Sequence, residues 1–207
     1  FNGSANDESG NGHNGSVAGA ALAADRTGNT NKAYSFDGDG GDSVNVPHHA
    51  SLNPSVFTVS LWGKASSTAG SGFNRRLISK EGPVGSGKHG YFFNHGGDGK
   101  LSFGVNVDGS DTSAPGRGHV GSTGTIVADQ WYHLVGTYDG TTTKFYIDGV
   151  LQGTLVKNIT LSSDTVLRIG HVAGRSDPNP NFQGTIDEVR IYNRSLSAAE
   201  VAQLKTL

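Results

Sequence analysis

The 207-residue chain contains neither cysteine nor methionine. Without thiols there is no disulfide framework, no Cys-ligated zinc and no thiol nucleophile. A core free of both sulfur residues is also slow to oxidise, which fits an exported protein. Charge is sparse: 16 Lys and Arg stand against 18 Asp and Glu, a net −2 that gives no electrostatic reason to bind nucleic acid or an anionic membrane surface. No run approaches the roughly 20 apolar residues of a membrane span. The text opens at Phe1 with no initiator Met and no signal-like segment, so an excised domain or a mature fragment is expected. A Gly-x-Ser-x-Gly elbow and a Gly-rich turn cradling phosphate before a helix are both missing, which sets those two chemistries aside.

What the chain does hold is turn chemistry between short alternating runs. There are 32 Gly, and the segment 130–149 reads QWYHLVGTYDGTTTKFYIDG. Apolar and polar residues alternate there with the period of two that gives a strand one dry and one wet face. Asp139-Gly140 and Asp148-Gly149 supply turns, because Gly reaches positive φ freely and Asp bonds back to its own backbone. Similar runs are expected near 33–37, 43–47, 57–64, 75–80, 90–95, 100–107, 118–127, 130–138, 143–148, 150–156, 165–171 and 183–193, with residues 1–31 as polar loop. Spacings of this kind predict an all-β, antiparallel two-sheet sandwich rather than βαβ units, and the length suits one domain over residues 1–207. One short helix is expected at the C-terminus, where Ser197-Ala198-Ala199-Glu200 spells a capping box ahead of Val201, Leu204 and Leu207.

Trp62 and Trp131 are expected as core aromatics between the sheets, with Phe36, Phe145, Ile147, Ile186, Val189 and Ile191. His133, on the same face as Trp131, reads as a hydrogen-bonded structural histidine and not as a catalytic one. In the N-terminal loop, Asp7, Ser9, Asn11 and Asn14 sit in one Gly-rich turn, and such hard oxygen donors suit Ca²⁺. No Glu stands at a twelfth loop position, so this is no EF-hand. The alternative is an Asx-turn cluster in which the side chains cap their own backbone.

Several motifs then fall in order: Asp7-Glu8-Ser9-Gly10-Asn11-Gly12, Ala33-Tyr34-Ser35-Phe36-Asp37-Gly38 and Phe57-Thr58-Val59-Ser60-Leu61-Trp62. Trp131 to Gly140, Tyr146-Ile147-Asp148-Gly149, and Gly184-Thr185-Ile186-Asp187-Glu188-Val189-Arg190-Ile191-Tyr192 complete the set. Across nearly its whole length the chain resembles the laminin G-like jelly-roll modules of the concanavalin A-like lectin/glucanase superfamily. That resemblance implies a secreted or cell-surface bacterial multidomain parent such as an adhesin or a polysaccharide-degrading enzyme. It also implies a structural calcium joining the first and last strands, with Asp187, Asp7, Gly38 and Asn11 as ligands and Asn14 and Asp42 beside them.

Some relatives in that superfamily cleave polysaccharides. A glycosidase needs two carboxyl groups flanking the scissile bond, and the four Glu here, Glu8, Glu81, Glu188 and Glu200, lie in unrelated contexts. A lyase wants a Tyr/His pair with a cation near the uronate, for which Tyr91, His95, Arg75 and Arg76, or His119 and Arg117, are the available groups. Neither assembles into a dense cleft motif, so no catalytic residue is assigned. The expected function is non-catalytic glycan binding, by an isolated domain that is monomeric. Arg75, Arg76, Tyr91, His95, Asn179 and Asn181 are the candidate contacts, supported by Lys80-Glu81 and the 175–182 loop. A structural spacer or protein-interaction domain is the alternative, and a lyase or hydrolase of the same fold the second.

Overall fold

The computed structural model describes residues 1–67, 74–83, 85–107, 118–158, 160–172 and 181–207. In chain order the strands are β1 (Ser16–Ala18), β2 (Ala21–Ala23), β3 (Ala33–Asp37), β4 (Ser43–Val46), β5 (Phe57–Ala65), β6 (Asn74–Ser79) and β7 (Gly90–Gly96). They continue as β8 (Lys100–Val107), β9 (His119–Thr125), β10 (Trp131–Tyr138), β11 (Thr142–Ile147), β12 (Val150–Val156), β13 (Leu167–Ile169) and β14 (Gln183–Tyr192). A single turn of 3₁₀ helix spans Ala50–Leu52, and α1 spans Ala198–Leu204.

These strands form two antiparallel seven-stranded sheets in the orders β1-β4-β13-β6-β7-β8-β9 and β12-β11-β10-β5-β14-β3-β2. The expected jelly-roll sandwich with one C-terminal helix is therefore what the chain builds. Two edge strands, β1 and β2, come from the stretch expected to be loop. Each is only three residues long, too short for a period-two signal to register.

The core between the sheets is aromatic and aliphatic, with Phe57, Leu61, Tyr91, Phe93, Phe103, Phe145 and Ile186 all fully buried. Phe36 belongs to it as expected, and Ile147, Val189 and Ile191 pack against it partly buried. Glycines admit the rings: a Cβ on inward-facing Gly136 would stand 2.4 Å from the Phe103 ring. Ser197 caps α1 through the reciprocal bonds expected of the Ser-x-x-Glu box, with Glu200 N–H donating to its Oγ and Ser197 N–H donating to Glu200. Through Val201 and Leu204 the helix packs on Val135 and Tyr146, and so covers that part of the outer face of the second sheet.

The two tryptophans lie outside that core, contrary to expectation. Phe57, Val59 and Leu61 point inward along β5, so parity turns Trp62 outward. There Trp62 pairs in register with His133 and Asp187, and Arg26 stacks on its ring at 4.8 Å. Tyr132 and Leu134 pack inward from β10, which leaves Trp131 half-buried on the outer face with Lys64 5.3 Å from its ring centroid. Side-chain size pointed to the interior, and strand parity decided otherwise.

Candidate functional site

The outer face of the first sheet is polar. Along β6 to β8, the residues whose neighbours point into the core are Arg76, Phe92, Asn94, Ser102 and Gly104, and they line this face. Gly104 allows Phe92 to lie flat, since a Cβ there would stand 2.2 Å from the ring. Arg76 lies over Phe92 with its guanidinium carbon 3.8 Å from the centroid. Its Nε donates to Glu81 Oε1 at 2.6 Å and its Nη1 to Asn94 Oδ1 at 2.7 Å, all three side chains being buried. A paired, stacked guanidinium of this kind holds its geometry without help from solvent.

At one flank of the same face, β13 presents Arg168 between inward Leu167 and Ile169, opposite Asn45 on β4 and Ser79 on β6. Arg168 makes one hydrogen bond, from Nη1 to the Val166 carbonyl at 3.3 Å. Burial holds its pKa below the usual arginine value. Beyond the strand, the His171 ring lies near the backbone of Gly40. Burial, then the charge of Arg168, pushes His171 down. Its Nδ1 is buried with no partner. Asn181 forms a parallel bridge with Arg76 and lies beside Gly40, its Oδ1 also buried and unpartnered.

Of the residues expected to meet a ligand, Arg76 and Asn181 come together here. Tyr91 does not join them. It is fully buried against Phe57, donates its hydroxyl to the Leu52 carbonyl at 3.2 Å, and has its phenol pushed up by burial. It is a core residue because it shares the inward parity of Phe93. Arg75 and His95 pair across β6 and β7 on the inward face, at the end of the sandwich. Arg75 Nη1 donates to Ser67 Oγ at 2.9 Å, and both ring nitrogens of His95 are buried without partners. Burial takes His95 down to about 4. Asn179, Arg117 and most of the 175–182 loop lie outside the described residues.

This geometry separates the first of the two expected lyase sets. Tyr91 and His95 stand four residues apart on the inner face of β7, about 13 Å along a strand, while Arg76 is on the other face. Lys80 is likewise enclosed, its Nζ donating to the Ser163 and Thr165 carbonyls and meeting His48 Nδ1, and burial lowers it to about 8. Arg168 and His171 went unnoticed in the sequence, although the Leu-Arg-Ile alternation of β13 already turns Arg168 away from the core.

The expected calcium ligands do not converge. Asp7 accepts the N–H groups of Ser9 and His13, both at 2.9 Å, and Asn14 Oδ1 accepts the N–H of Asp7 at 2.9 Å. Asn11 donates to Ser9 Oγ, so this loop closes on itself as an Asx-turn cluster, and its bonds, led by Ser9, hold the Asp7 carboxyl below its ordinary value. Gly38, at φ 87°, packs on Gln183 at the start of β14, four residues from Asp187 and so about 13 Å away along the strand. Asp187 is on the outer face of the second sheet, 2% exposed. Its Oδ1 accepts from the Phe1 amino nitrogen at 3.0 Å and from Glu188 N–H at 2.7 Å. Burial raises its pKa, and it borders a hollow of about 260 Å³ shared with Asp25, Arg26, Asn29, Lys32 and Glu188. Asp25 there is bound by Thr27 and Asn29, and Glu188 by Arg190. Among the described residues no group of three His, Asp or Glu side chains is arranged to hold a metal. His133 is the structural histidine expected, its Nε2 2.9 Å from Ser60 Oγ.

No curated protein matches the sequence. Among solved structures, domain 4 of an extracellular GH43 arabinanase from Geobacillus stearothermophilus, in complex with arabinotriose, superposes with a TM-score of 0.70 at 22% identity, covering 98% of this chain and 93% of that one. The binding domain of Paraclostridial Mosquitocidal Protein 1 gives 0.72 at 17% identity over 97% of this chain, which spans 48% of that one. The CBM40 of the Ruminococcus gnavus IT-sialidase, bound to α2,3-sialyllactose, gives 0.61 at 13% identity, covering 84% and 96% of the two chains. At these identities the shared property is the fold. Residues 37–202 match the Laminin_G_3 family, and the chain belongs to this family of the concanavalin A-like lectin/glucanases superfamily.

Proposed function

We propose that the chain is a non-catalytic glycan-binding module of a secreted or cell-surface multidomain protein, with the outer face of the first sheet as its binding surface. The observation that carries this is the contrast between the two outer faces. On one, α1 covers the part around Val135 and Tyr146 through apolar contacts, while the other keeps Asn45, Ser102, Arg168 and Asn181 around a fixed Arg76–Phe92 stack. Sugars are recognised by polar side chains held in fixed positions, and the buried Arg76–Phe92 stack supports this face rather than contacting a ligand itself. The arabinotriose and sialyllactose complexes of structurally similar modules support the reading. Glu81 is committed to Arg76 and so is not a free acid or base for hydrolysis.

The calcium implied by the family resemblance is proposed at Asp187 rather than in the Asp7–Asn14 loop. Both donors to Asp187 fall on Oδ1, and a buried carboxylate gains from a cation. A protein-binding or spacer role is the second reading, favoured by exposed Val150, Leu151 and Val156 on edge strand β12. No described helix is long and apolar enough to cross a membrane.

A glycan array with and without chelator tests the assignment. Saturable binding that Asn94→Ala weakens supports the module reading. Silence across plant, algal and animal glycans in both conditions overturns it in favour of the spacer.

A further inference from the structure

Arg168 is a cation without an anion. It projects from the outer face of the first sheet, half-buried, with one backbone carbonyl as its partner and no ion pair among the described residues. Asp164, Glu81 and Asp42 are engaged elsewhere: Asp164 with Lys88, Glu81 with Arg76, and Asp42 with the N–H of Asp37. A guanidinium has five donors in a planar fork that matches a carboxylate or a sulfate.

Next to it stand two acceptors with nothing to accept. The buried Nδ1 of His171 has no partner, and burial lowers the ring's pKa and keeps it neutral, so this nitrogen is available to accept. Asn181, 6% exposed, sets its Nδ2 against Gly40 and leaves its Oδ1 unpartnered. Buried polar atoms left unsatisfied cost about 1–3 kcal/mol each, so a ligand donor would recover that loss. A bare inorganic anion would meet these lone pairs with repulsion. The complementary ligand carries a negative group and hydroxyl donors together, within the roughly 10 Å that three strand residues from Arg168 to His171 can span.

We infer that the glycan bound by this module is acidic, with Arg168 taking the carboxylate or sulfate of a sugar while His171 Nδ1 and Asn181 Oδ1 accept from its hydroxyls. This rests on the glycan-binding reading above and narrows it to a substrate class.

Titration calorimetry against polygalacturonate, its fully methyl-esterified form, a sulfated galactan and the desulfated galactan tests it, on the wild type, Arg168→Gln and Arg168→Lys. The wild type should bind at least one acidic polymer at least tenfold tighter than its neutral counterpart, more weakly as salt is raised. Arg168→Gln should erase that preference, and Arg168→Lys should restore part of it, which also controls for folding. Which polymer is bound separates carboxylate from sulfate. Equal binding of acidic and neutral polymers by the wild type overturns the acidic inference while leaving glycan binding intact. A preference that survives Arg168→Gln overturns the assignment to Arg168. Binding to none of the four, with silence on the array, overturns both.

Discussion

Phe92 lies flat against the backbone at Gly104, with Arg76 stacked on its opposite side at 3.8 Å from the ring centroid. The glycine has no positive φ here, so it is required for space and not for backbone conformation. Replacing it by Ala puts a methyl 2.2 Å from the ring and lifts the ring and the guanidinium above it. Overpacking of this kind costs about 1–3 kcal/mol. A Gly104→Ala variant should melt several degrees lower and lose glycan affinity, while Gly121→Ala on the neighbouring strand, which meets nothing within 4 Å, should do neither.

The Arg76–Glu81 pair is fully enclosed. Removing one partner strands a buried charge, at about 3–5 kcal/mol. Arg76→Met and Glu81→Gln should each destabilise by that order in urea melts, and the double variant by clearly less than their sum. Additive losses would show that the two do not depend on each other.

Much of this architecture is written in period-two alternation and Asp-Gly turns, and the expected strand positions of β3 to β14 fall within a few residues of those observed. What alternation cannot convey is which face of a sheet will be buried. Trp62 and Trp131 were placed inside by size, although Phe57, Val59 and Leu61 on one strand and Tyr132 and Leu134 on the other had already claimed the inner parity. The same parity explains Tyr91, which sits in an aromatic run where adjacent residues face opposite ways. A dense set of oxygen donors suits calcium, but local N–H groups satisfy such donors too, as they do at Asp7 and Asn14, and the sequence does not distinguish the two. Asn181 was legible as a polar residue in a loop. Arg168 joins this face only through the pairing of β13 with β4 and β6, which the sequence does not reveal.

Acid should unfold the domain through its buried histidines. Burial lowers His133 and His95 to about 4, against an ordinary value near 6.5. A group whose folded pKa is depressed stabilises the fold above its unfolded pKa, and that stability is lost as pH falls toward the folded value. The loss therefore runs from about pH 6.5 to pH 4, amounting to at most about 3 kcal/mol per histidine. Chemical denaturation across that window should show the decline, and His133→Gln, which keeps a partner for Ser60, should flatten part of it. A wild-type stability that is level from pH 7 to pH 4 would contradict the neutral buried state.

Asp187 is the place where calcium should be felt. Its carboxylate is 2% exposed, and burial raises its pKa despite the nearby Phe1 amino group, so it remains short of positive charge. A cation bound only by the folded state adds RT ln(1 + [L]/Kd), about 2.7 kcal/mol at a hundredfold excess over Kd. Millimolar calcium should accordingly raise the melting temperature of the wild type by several degrees, and chelator should reverse it. Asp187→Asn should abolish the response. Asp7→Ala should keep it, because Asp7 serves the turn through Ser9 and His13. A response that disappears with Asp7→Ala but persists in Asp187→Asn would return the ion to the N-terminal loop, and a melt indifferent to calcium in every variant would remove it from this domain.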